Sequence, residues 1–268
     1  EIHDEIRTEI INRSGKDYRV DVKYLNQLRK GRMIRLRQIY SNISLLNKTI
    51  KDSDEDLMSD MDNIKKLVKN YNQMELPGKM RTIFKLVNDH ASQNKKILIW
   101  SNFIGTVNML VSEIKNRGFN VKKIIGSTIS DPNEEQSKEI DTREKIKNEF
   151  NDKDSDLQVL IANPAACAEA ISLHKACNTA IYYDLSYNCA HYLQSLDRIH
   201  RVGGSEKRKS FYFFLQYKDT LEHKIFEKLQ QKASRMLDII DTEFSFGNPE
   251  LYDESEISYY DEIFEKTN

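Results

Sequence analysis

Long apolar runs and cysteines are both scarce in this chain. A membrane-spanning helix needs about 18 or more consecutive apolar residues, and no segment of the 268 residues approaches that length. The acidic start, Glu1–Glu5, does not read as a secretory signal peptide. The three cysteines are odd in number and have no Cys-x-x-Cys spacing, which predicts reduced thiols and no metal site. We expect a cytoplasmic protein without a membrane partner.

Neither sign of charge is in excess. The 41 Lys and Arg residues nearly balance 42 Asp and Glu residues, so the net charge of −1 gives no overall attraction to nucleic acid. The charge is unevenly spread, because residues 29–37 are strongly basic and residues 241–268 are acidic and rich in tyrosine. The basic run also carries apolar residues at helical spacing. Its arginines could meet DNA phosphates, but the favoured interpretation is a solvated helix face.

A phosphate-binding loop of the Gly-x-x-x-x-Gly-Lys-Ser/Thr type is absent. No Asp-Glu pair follows an apolar strand either, since Asp54-Glu55-Asp56 lies in a polar run. Such a loop cradles nucleotide phosphates, and such a carboxylate holds Mg²⁺. The sequence therefore argues against a self-contained ATPase built from these parts.

From residue 77 onward, short apolar runs alternate with segments of helical periodicity. This alternation predicts an α/β domain with a parallel sheet covered by helices on both faces. Ligands of such sheets bind at the edge where the strands end, which we call the carboxyl edge. The loop after Ile125, Asn163 and Asp184 are expected at this edge. The expected strands are 96–100, 121–125, 157–162, 179–183 and 211–215, and the expected helices are 78–93, 103–117, 141–150 and 221–240, with one more helix around residues 192–201.

A polar triplet occupies the helix expected around residues 192–201. Residues four and seven apart share one face of a helix, so Gln194, Arg198 and Arg201 are predicted to form a single stripe, while the apolar residues between them face the core. An amide and two guanidiniums suit a polyanion such as a nucleoside triphosphate. A surface helix with salt bridges is the alternative that spacing alone leaves open.

The stretch around this triplet, Gln194-Ser-Leu-Asp-Arg-Ile-His-Arg-Val-Gly203, is called here the signature segment. It resembles the closing signature of the second RecA-like lobe of superfamily 2 helicases, most closely the Swi/Snf-type DNA translocases and their bacterial relatives. The resemblance covers about residues 77–240, with a weaker match at 28–46. Other segments typical of the family occur in the expected order: Ile97–Phe103, Gly126-Ser127 with Arg143 and Phe150, Val159–Pro164, Ala180–Asp184 and Thr220–His223.

The resemblance implies a RecA-like parallel sheet with helices on both faces, preceded by a helical segment. It divides the chain into a helical interlobe or protrusion segment (1–76), the second lobe (77–240) and an acidic C-terminal tail (241–268) that could dock a protein partner. The first lobe, expected before residue 1, would hold most of the ATP and its Mg²⁺. By this reasoning the protein is nucleoid-associated if it is bacterial.

The implied function is the C-terminal half of an ATP-dependent DNA translocase, inactive as this chain alone. Arg198 and Arg201 would act as catalytic arginine fingers, and Gln194 would help to hold the nucleotide. Small polar groups and backbone amides can grip the backbone of double-stranded DNA without reading its bases, although the same residues are common in turns. The expected DNA contacts are Ser101, Asn102, Gly126, Ser127 and Lys175.

The loop after the third strand departs from the family pattern. Many members carry a Gly-Gly-x-Gly run there, whereas this chain reads Asn163-Pro-Ala-Ala-Cys-Ala-Glu-Ala170. Asn163 and Glu169 then become the candidates for nucleotide coupling, with a capped helix start behind Asn163-Pro164 as the alternative.

Two other functions remain open from the sequence. The chain could be a non-catalytic module that binds a nucleotide or a protein partner, with the signature segment kept for folding. It could also be half of an RNA helicase, although the Asp-Arg-x-His-Arg form of the signature argues against this by family analogy.

Overall fold

The computed structural model describes residues 18–47, 66, 68–71, 75–129, 141–167, 171–200 and 209–241. The chain divides into two units, one of residues 37–237 and one of residues 1–36 with 238–268. The sheet and all the site residues discussed below belong to the first of these units. Within the described ranges, no helix is long and apolar enough to cross a membrane.

Helices and strands alternate along the larger unit, as the sequence predicts. A short 3-10 helix, Ile43–Leu45, follows the first helix, and another, Pro164–Cys167, follows the third strand. The helices are α1 (Tyr18–Ser41), α2 (Gly78–Ala91), α3 (Ile104–Lys115), α4 (Arg143–Asn151), α5 (Cys189–Leu196) and α6 (Leu221–Asp241). The strands are β1 (Lys96–Trp100), β2 (Val121–Ile124), β3 (Val159–Ala162), β4 (Cys177–Tyr182) and β5 (Phe211–Phe214).

The five strands form one parallel sheet in the order β2-β3-β1-β4-β5. Trp100, the last residue of β1, pairs with Ala162 of β3 on one side and with Tyr182 of β4 on the other. The ends of the three central strands therefore lie level with one another. The predicted α/β class and the parallel sheet are confirmed.

The sheet separates two apolar cores because successive residues of a strand face opposite sides. On one side, Leu98 and Trp100 pack with residues of α4, α5 and α6. On the other side, Ile97 and Ile99 pack with residues of α2 and α3. Helices thus cover both faces, and the central strands are buried on both sides, as expected for a parallel sheet.

Local signals in the sequence set several of the boundaries. The helix α3 is followed by Gly118, whose φ of +84° lies in the left-handed region that favours glycine. The Thr142 side chain caps α4 by accepting a hydrogen bond from the backbone N–H of Lys145. The observed strand and helix bounds differ from the predicted ones by a few residues at most, except in the signature segment.

Candidate functional site

The carboxylate of Asp184 organises the carboxyl edge of the sheet. It lies two residues after β4, is 3% exposed, and accepts hydrogen bonds from two serine hydroxyls and an asparagine. The hydroxyls of Ser41 and Ser101 both donate to Oδ2 at 2.7 Å. The backbone N–H and the side-chain amide of Asn102 donate to Oδ1 at 2.7 and 3.0 Å. A buried carboxylate is thus fully supplied with donors, which is the condition for its burial.

Asn102 extends this network to the neighbouring strand β3. Its side-chain amide also donates to the carbonyl oxygen of Asp184 (3.1 Å), and its own carbonyl accepts from the side chain of Asn163 (2.9 Å). Asn163 in turn accepts from the N–H of Ala165, at the start of the following 3-10 helix. The loops after β1, β3 and β4 are therefore joined by one chain of hydrogen bonds.

The last turn of α1 enters the same network. The Arg37 guanidinium donates twice to the carbonyl of Leu185, at 3.2 and 3.0 Å, and lies over the ring of Phe103. The Ser41 hydroxyl lies 2.8 Å from the hydroxyl of Thr106, on α3. Since the Ser41 proton is given to Asp184, Thr106 is the donor of that second bond.

The predicted DNA contacts at Ser101 and Asn102 need correction. Ser101 is completely buried, so none of its atoms is presented to a DNA backbone in this arrangement. Asn102 is half-buried, and both protons of its amide group are directed to Asp184. Their polar groups bind the buried carboxylate of Asp184, so these donors are not available to a DNA phosphate.

At the carboxyl edge, the turn after β2 is the part of the predicted DNA surface that is exposed. Gly126 and Ser127 are both exposed, and the turn is closed by a bond from the N–H of Thr128 to the carbonyl of Ile125 (2.9 Å). Arg143, the first residue of α4, donates to the carbonyls of Thr128 (3.0 Å) and Gly126 (3.4 Å). The turn that carries Gly126 and Ser127 is thus bonded to the first residue of a neighbouring helix.

A buried ion pair lies beneath the carboxyl edge. The ammonium of Lys79, on α2, pairs with Glu222 on α6 and also donates to the carbonyl of Tyr183 at 3.0 Å. It lies 5.5 Å from the ring centre of Tyr183 and 5.3 Å from that of Tyr217. Burial lowers the pKa of Lys79 and raises the pKa of Glu222, and in each case the charge of the partner opposes the shift.

The amino edge of the sheet, where the strands begin, carries the signature segment. Here the predicted continuous helix is wrong, because α5 spans Cys189–Leu196 and Asp197 is its C-cap. Gln194 lies on the helix and Arg198 lies beyond its end, so these two side chains do not share a helical stripe. The helix does not continue, because backbone carbonyls beyond it accept hydrogen bonds from neighbouring segments of the chain. The contacts of Arg198 illustrate this.

Arg198 binds the segment that precedes β4. Its guanidinium donates to the carbonyl of Ile171 (3.4 Å), while its own carbonyl accepts from the N–H of Leu173 (2.9 Å). The next residue, Ile199, is completely buried in the core, and its carbonyl accepts from the Ser210 hydroxyl just before β5. Arg198 is therefore fixed between the beginnings of β4 and β5, about one strand length from the Asp184 network.

Gln194 carries a buried acceptor on α5. Its Oε1 is buried and has no hydrogen-bond partner within the described part of the chain, a costly arrangement that needs an explanation. The helix that carries it is capped by Asn188, whose Oδ1 accepts from the N–H of His191 (3.0 Å). The cap fixes where the helix starts and hence where Gln194 lies.

The other predicted site residues do not join these groups. Lys175 is exposed. Because it lies in the turn before β4, it is at the amino edge, away from Gly126 and Ser127. Arg201 and Glu169 lie outside the described residues. The predictions for them stay predictions.

Sequence reasoning missed the main roles of three residues. Asp184 was placed at the carboxyl edge by the apolar run before it, but nothing in the pattern identified its donors. Ser41 and Lys79 lie 143 residues from Asp184 and Glu222, respectively. Contacts of such separation leave no signal in local spacing.

Comparison with known proteins adds the family. Residues 78–203 match the helicase conserved C-terminal domain. The match begins with α2 and ends with the last residue of the signature segment. Helicase SWR1 of Cryptococcus neoformans is 27% identical over 172 residues, and the SWI/SNF-related matrix-associated actin-dependent regulator of chromatin subfamily A member 1 of Mus musculus is 29% identical over 155 residues. The chain carries the C-terminal RecA-like lobe of a Swi/Snf-type superfamily 2 helicase.

The aligned segments cover 64% and 58% of this chain but only 12% and 14% of those two relatives. The fold has a solved counterpart in the crystal structure of the C-terminal part of the Fun30 ATPase domain, with a TM-score of 0.56 and 20% sequence identity. That superposition covers 96% of this chain and 89% of the other. At this identity the similarity shows the RecA-like fold, and residue roles have to be argued from the chain itself.

Proposed function

We propose that this lobe is the second half of an ATP-driven translocase that steps along double-stranded DNA. The observation that carries the proposal is the helicase C-terminal match, which ends at a signature segment whose Gln194 and Arg198 are held at the amino edge. The similarity to a SWR1 helicase and to a regulator of chromatin supports DNA over RNA as the substrate. The partner within the same polypeptide is the first RecA-like lobe.

The nucleotide, with its Mg²⁺ held mainly by the first lobe, supplies the energy of phosphoryl transfer. Arg201 and Arg198 are proposed to stabilise the charge that develops on the phosphoryl group when the lobes close. The guanidinium of Arg198 is a planar fork of N–H donors, a geometry that suits phosphate oxygens. The buried acceptor of Gln194 fits a hydroxyl donor of the nucleotide or a group of the first lobe.

The DNA surface is proposed to lie at the carboxyl edge. The exposed Gly126 and Ser127 offer a backbone N–H and a hydroxyl, donors that suit phosphate oxygens and carry no base specificity. Such contacts allow the lobe to hold one position after another along a duplex. The amino edge would then serve the nucleotide and the carboxyl edge the DNA.

The proposal is tested by ATP turnover of the intact protein with and without duplex DNA, beside an Arg201→Ala variant and the 268-residue chain alone. We expect DNA to stimulate the intact protein, and the variant and the isolated chain to lose about three decades of turnover or more, because an arginine finger contributes about three to five. Arg235→Ala is the matched control, because Arg235 is an exposed arginine on α6. This variant should turn over ATP like the unaltered protein.

Unchanged turnover in Arg201→Ala would contradict the finger assignment and favour a nucleotide- or partner-binding module. Stimulation by RNA alone would point to an RNA helicase.

A further inference from the structure

The Asp184 network joins parts of the chain that are far apart in sequence. Its donors come from the end of α1 (Ser41), from the loop after β1 (Ser101 and Asn102), and through Asn102 from the loop after β3 (Asn163). These loops lie on three adjacent strands. The position of each loop is therefore defined with respect to a single carboxylate.

The arrangement requires a carboxylate. Four donated hydrogen bonds, two to each oxygen, match the acceptor capacity of an ionised carboxyl group. An asparagine has the same shape, but one of its two groups is a donor and would face N–H or O–H groups. Exchange of Asp184 for Asn therefore leaves at least two donors without an acceptor while it preserves the packing.

Helix α1 is attached to the network at two levels. Ser41 donates to the carboxylate itself, and one turn earlier Arg37 donates twice to the carbonyl of Leu185, the residue after Asp184. Residues 37–41 and the sheet belong to the same unit. A displacement of the last turn of α1 is thus passed to the loops of the carboxyl edge through Asp184 and its neighbour.

We propose that Asp184 is a positioning residue that fixes the carboxyl-edge loops, and with them the DNA-contacting surface, relative to the end of helix α1. Asp184 touches neither DNA nor nucleotide. It acts through Asn102, whose carbonyl holds the side chain of Asn163. The backbone N–H of Asn163 in turn donates to the carbonyl of Ile124 (3.0 Å), two residues before the exposed Gly126. This inference rests on the proposed function, because it assigns a role within the DNA surface of the same lobe.

The test measures the ATP turnover of the intact protein against the concentration of a duplex DNA of random sequence. Asp184→Asn is expected to raise the DNA concentration that gives half-maximal stimulation about tenfold, since bonds to a charged acceptor are lost. The KM for ATP and the turnover without DNA should change by less than about twofold. Thr179→Val is the matched control: Thr179 is 1% exposed on the same strand, and its hydroxyl, 3.2 Å from His90, lies away from the carboxyl edge. It should leave all three quantities within about twofold.

A double-mutant cycle separates positioning from general destabilisation. If Ser41 acts through Asp184, Ser41→Ala should raise the half-saturating DNA concentration in the unaltered protein and add almost nothing in the Asp184→Asn background. Additive effects would overturn the proposal. So would an Asp184→Asn variant whose DNA dependence is unchanged, or one whose DNA-free turnover falls by the same factor as its DNA-stimulated turnover.

Ser101→Ala provides a milder change should Asp184→Asn fail to fold. It removes one donor of the network and leaves the carboxylate in place, and we expect about a threefold rise in the half-saturating DNA concentration. No change in this variant would overturn the proposal. An unaltered protein whose turnover ignores DNA would instead contradict the proposed function itself, so the two failures are distinguished by the unaltered protein alone.

Discussion

The two edges of the sheet use polar residues in opposite ways. At the carboxyl edge, hydroxyls and amides donate hydrogen bonds to one buried carboxylate, that of Asp184. The exposed residues there are the small Gly126 and Ser127. At the amino edge, the charged side chain of Arg198 donates to the carbonyl of Ile171 at 3.4 Å, and Oε1 of Gln194 is buried without a hydrogen-bond partner among the described residues. The first arrangement surrounds a buried negative charge with hydrogen-bond donors, whereas the second carries a positive charge.

This difference teaches where each kind of ligand fits. A saturated network makes a defined surface whose shape and backbone groups face outward, which suits a backbone recognised without base contacts. A guanidinium suits a ligand that brings several acceptors, such as a polyphosphate. Changes at the two edges should therefore separate the nucleotide step from the DNA step.

The largest separation is expected for Arg198→Ala. Loss of this guanidinium should lower kcat for ATP about a hundredfold or more, while the half-saturating DNA concentration stays within about threefold, because the residue lies at the amino edge. Steady-state turnover over a range of DNA concentrations gives both values. Arg198→Lys, which keeps the charge but loses the fork, should recover little of the lost turnover. An effect on DNA dependence that exceeds the effect on kcat would erase the distinction between the edges.

The next largest effect is expected beneath the carboxyl edge, at the buried pair of Lys79 and Glu222. Lys79→Met leaves Glu222 buried without its partner, which should lower the free energy of unfolding by about 3 kcal/mol. The double variant Lys79→Met/Glu222→Leu should recover most of that loss, because no charge is left unpaired. Equilibrium unfolding in urea measures all three proteins.

Glu113→Gln serves as the control for that comparison. Glu113 pairs with Arg117 at 2.9 Å on the surface, where about a third of each side chain is exposed. Its loss should cost less than about 1 kcal/mol. Equal losses in the buried and surface variants, or a double variant no better than Lys79→Met, would show that the buried pair contributes little to holding Tyr183 and the edge above it.

The smallest of the three effects concerns the packing of the 3-10 helix Ile43–Leu45 on α3. A Cβ atom added at Gly105 would lie 2.3 Å from Cδ2 of Leu45, so Gly105→Ala should cost about 1 kcal/mol while the flexible leucine shifts. The same substitution in a Leu45→Ala background should cost almost nothing. Gly31→Ala meets no atom within 4 Å in helix α1, and should be neutral or slightly stabilising. Thermal unfolding compares the four variants, and an equal loss at both glycines would rule out the packing explanation.

The sequence predicted the fold well where periodicity and end signals agree. The apolar runs correctly predicted five parallel strands, because strands buried on both faces need apolar residues. Gly118 correctly marked the end of α3, because a left-handed backbone favours glycine. The helix of the signature segment was predicted too long, because there the periodicity and the actual end of the helix do not agree. Its helical spacing continues past Leu196, but bonds from Leu173 and Ser210 to the backbone there override the local preference.

The site was predicted only in part, because its chemistry depends on contacts across the fold. Small polar residues at strand ends were correctly placed at the carboxyl edge, yet the pattern did not distinguish Ser101, which is buried, from Ser127, which is exposed. The distinction arises from Asp184 and Ser41, which are 83 and 60 residues away from Ser101 in the chain. Spacing within a motif carries no information about donors supplied from such distances.

Trp100 gives the carboxyl edge a built-in optical signal. It is the only tryptophan of the chain, is completely buried at the last position of β1, and directly precedes Ser101. Its carbonyl accepts from the N–H of Tyr183, next to Asp184. The indole emission of this chain therefore originates at one known place, beside the loops that Asp184 joins, and rearrangements there can be followed in solution without attaching a dye.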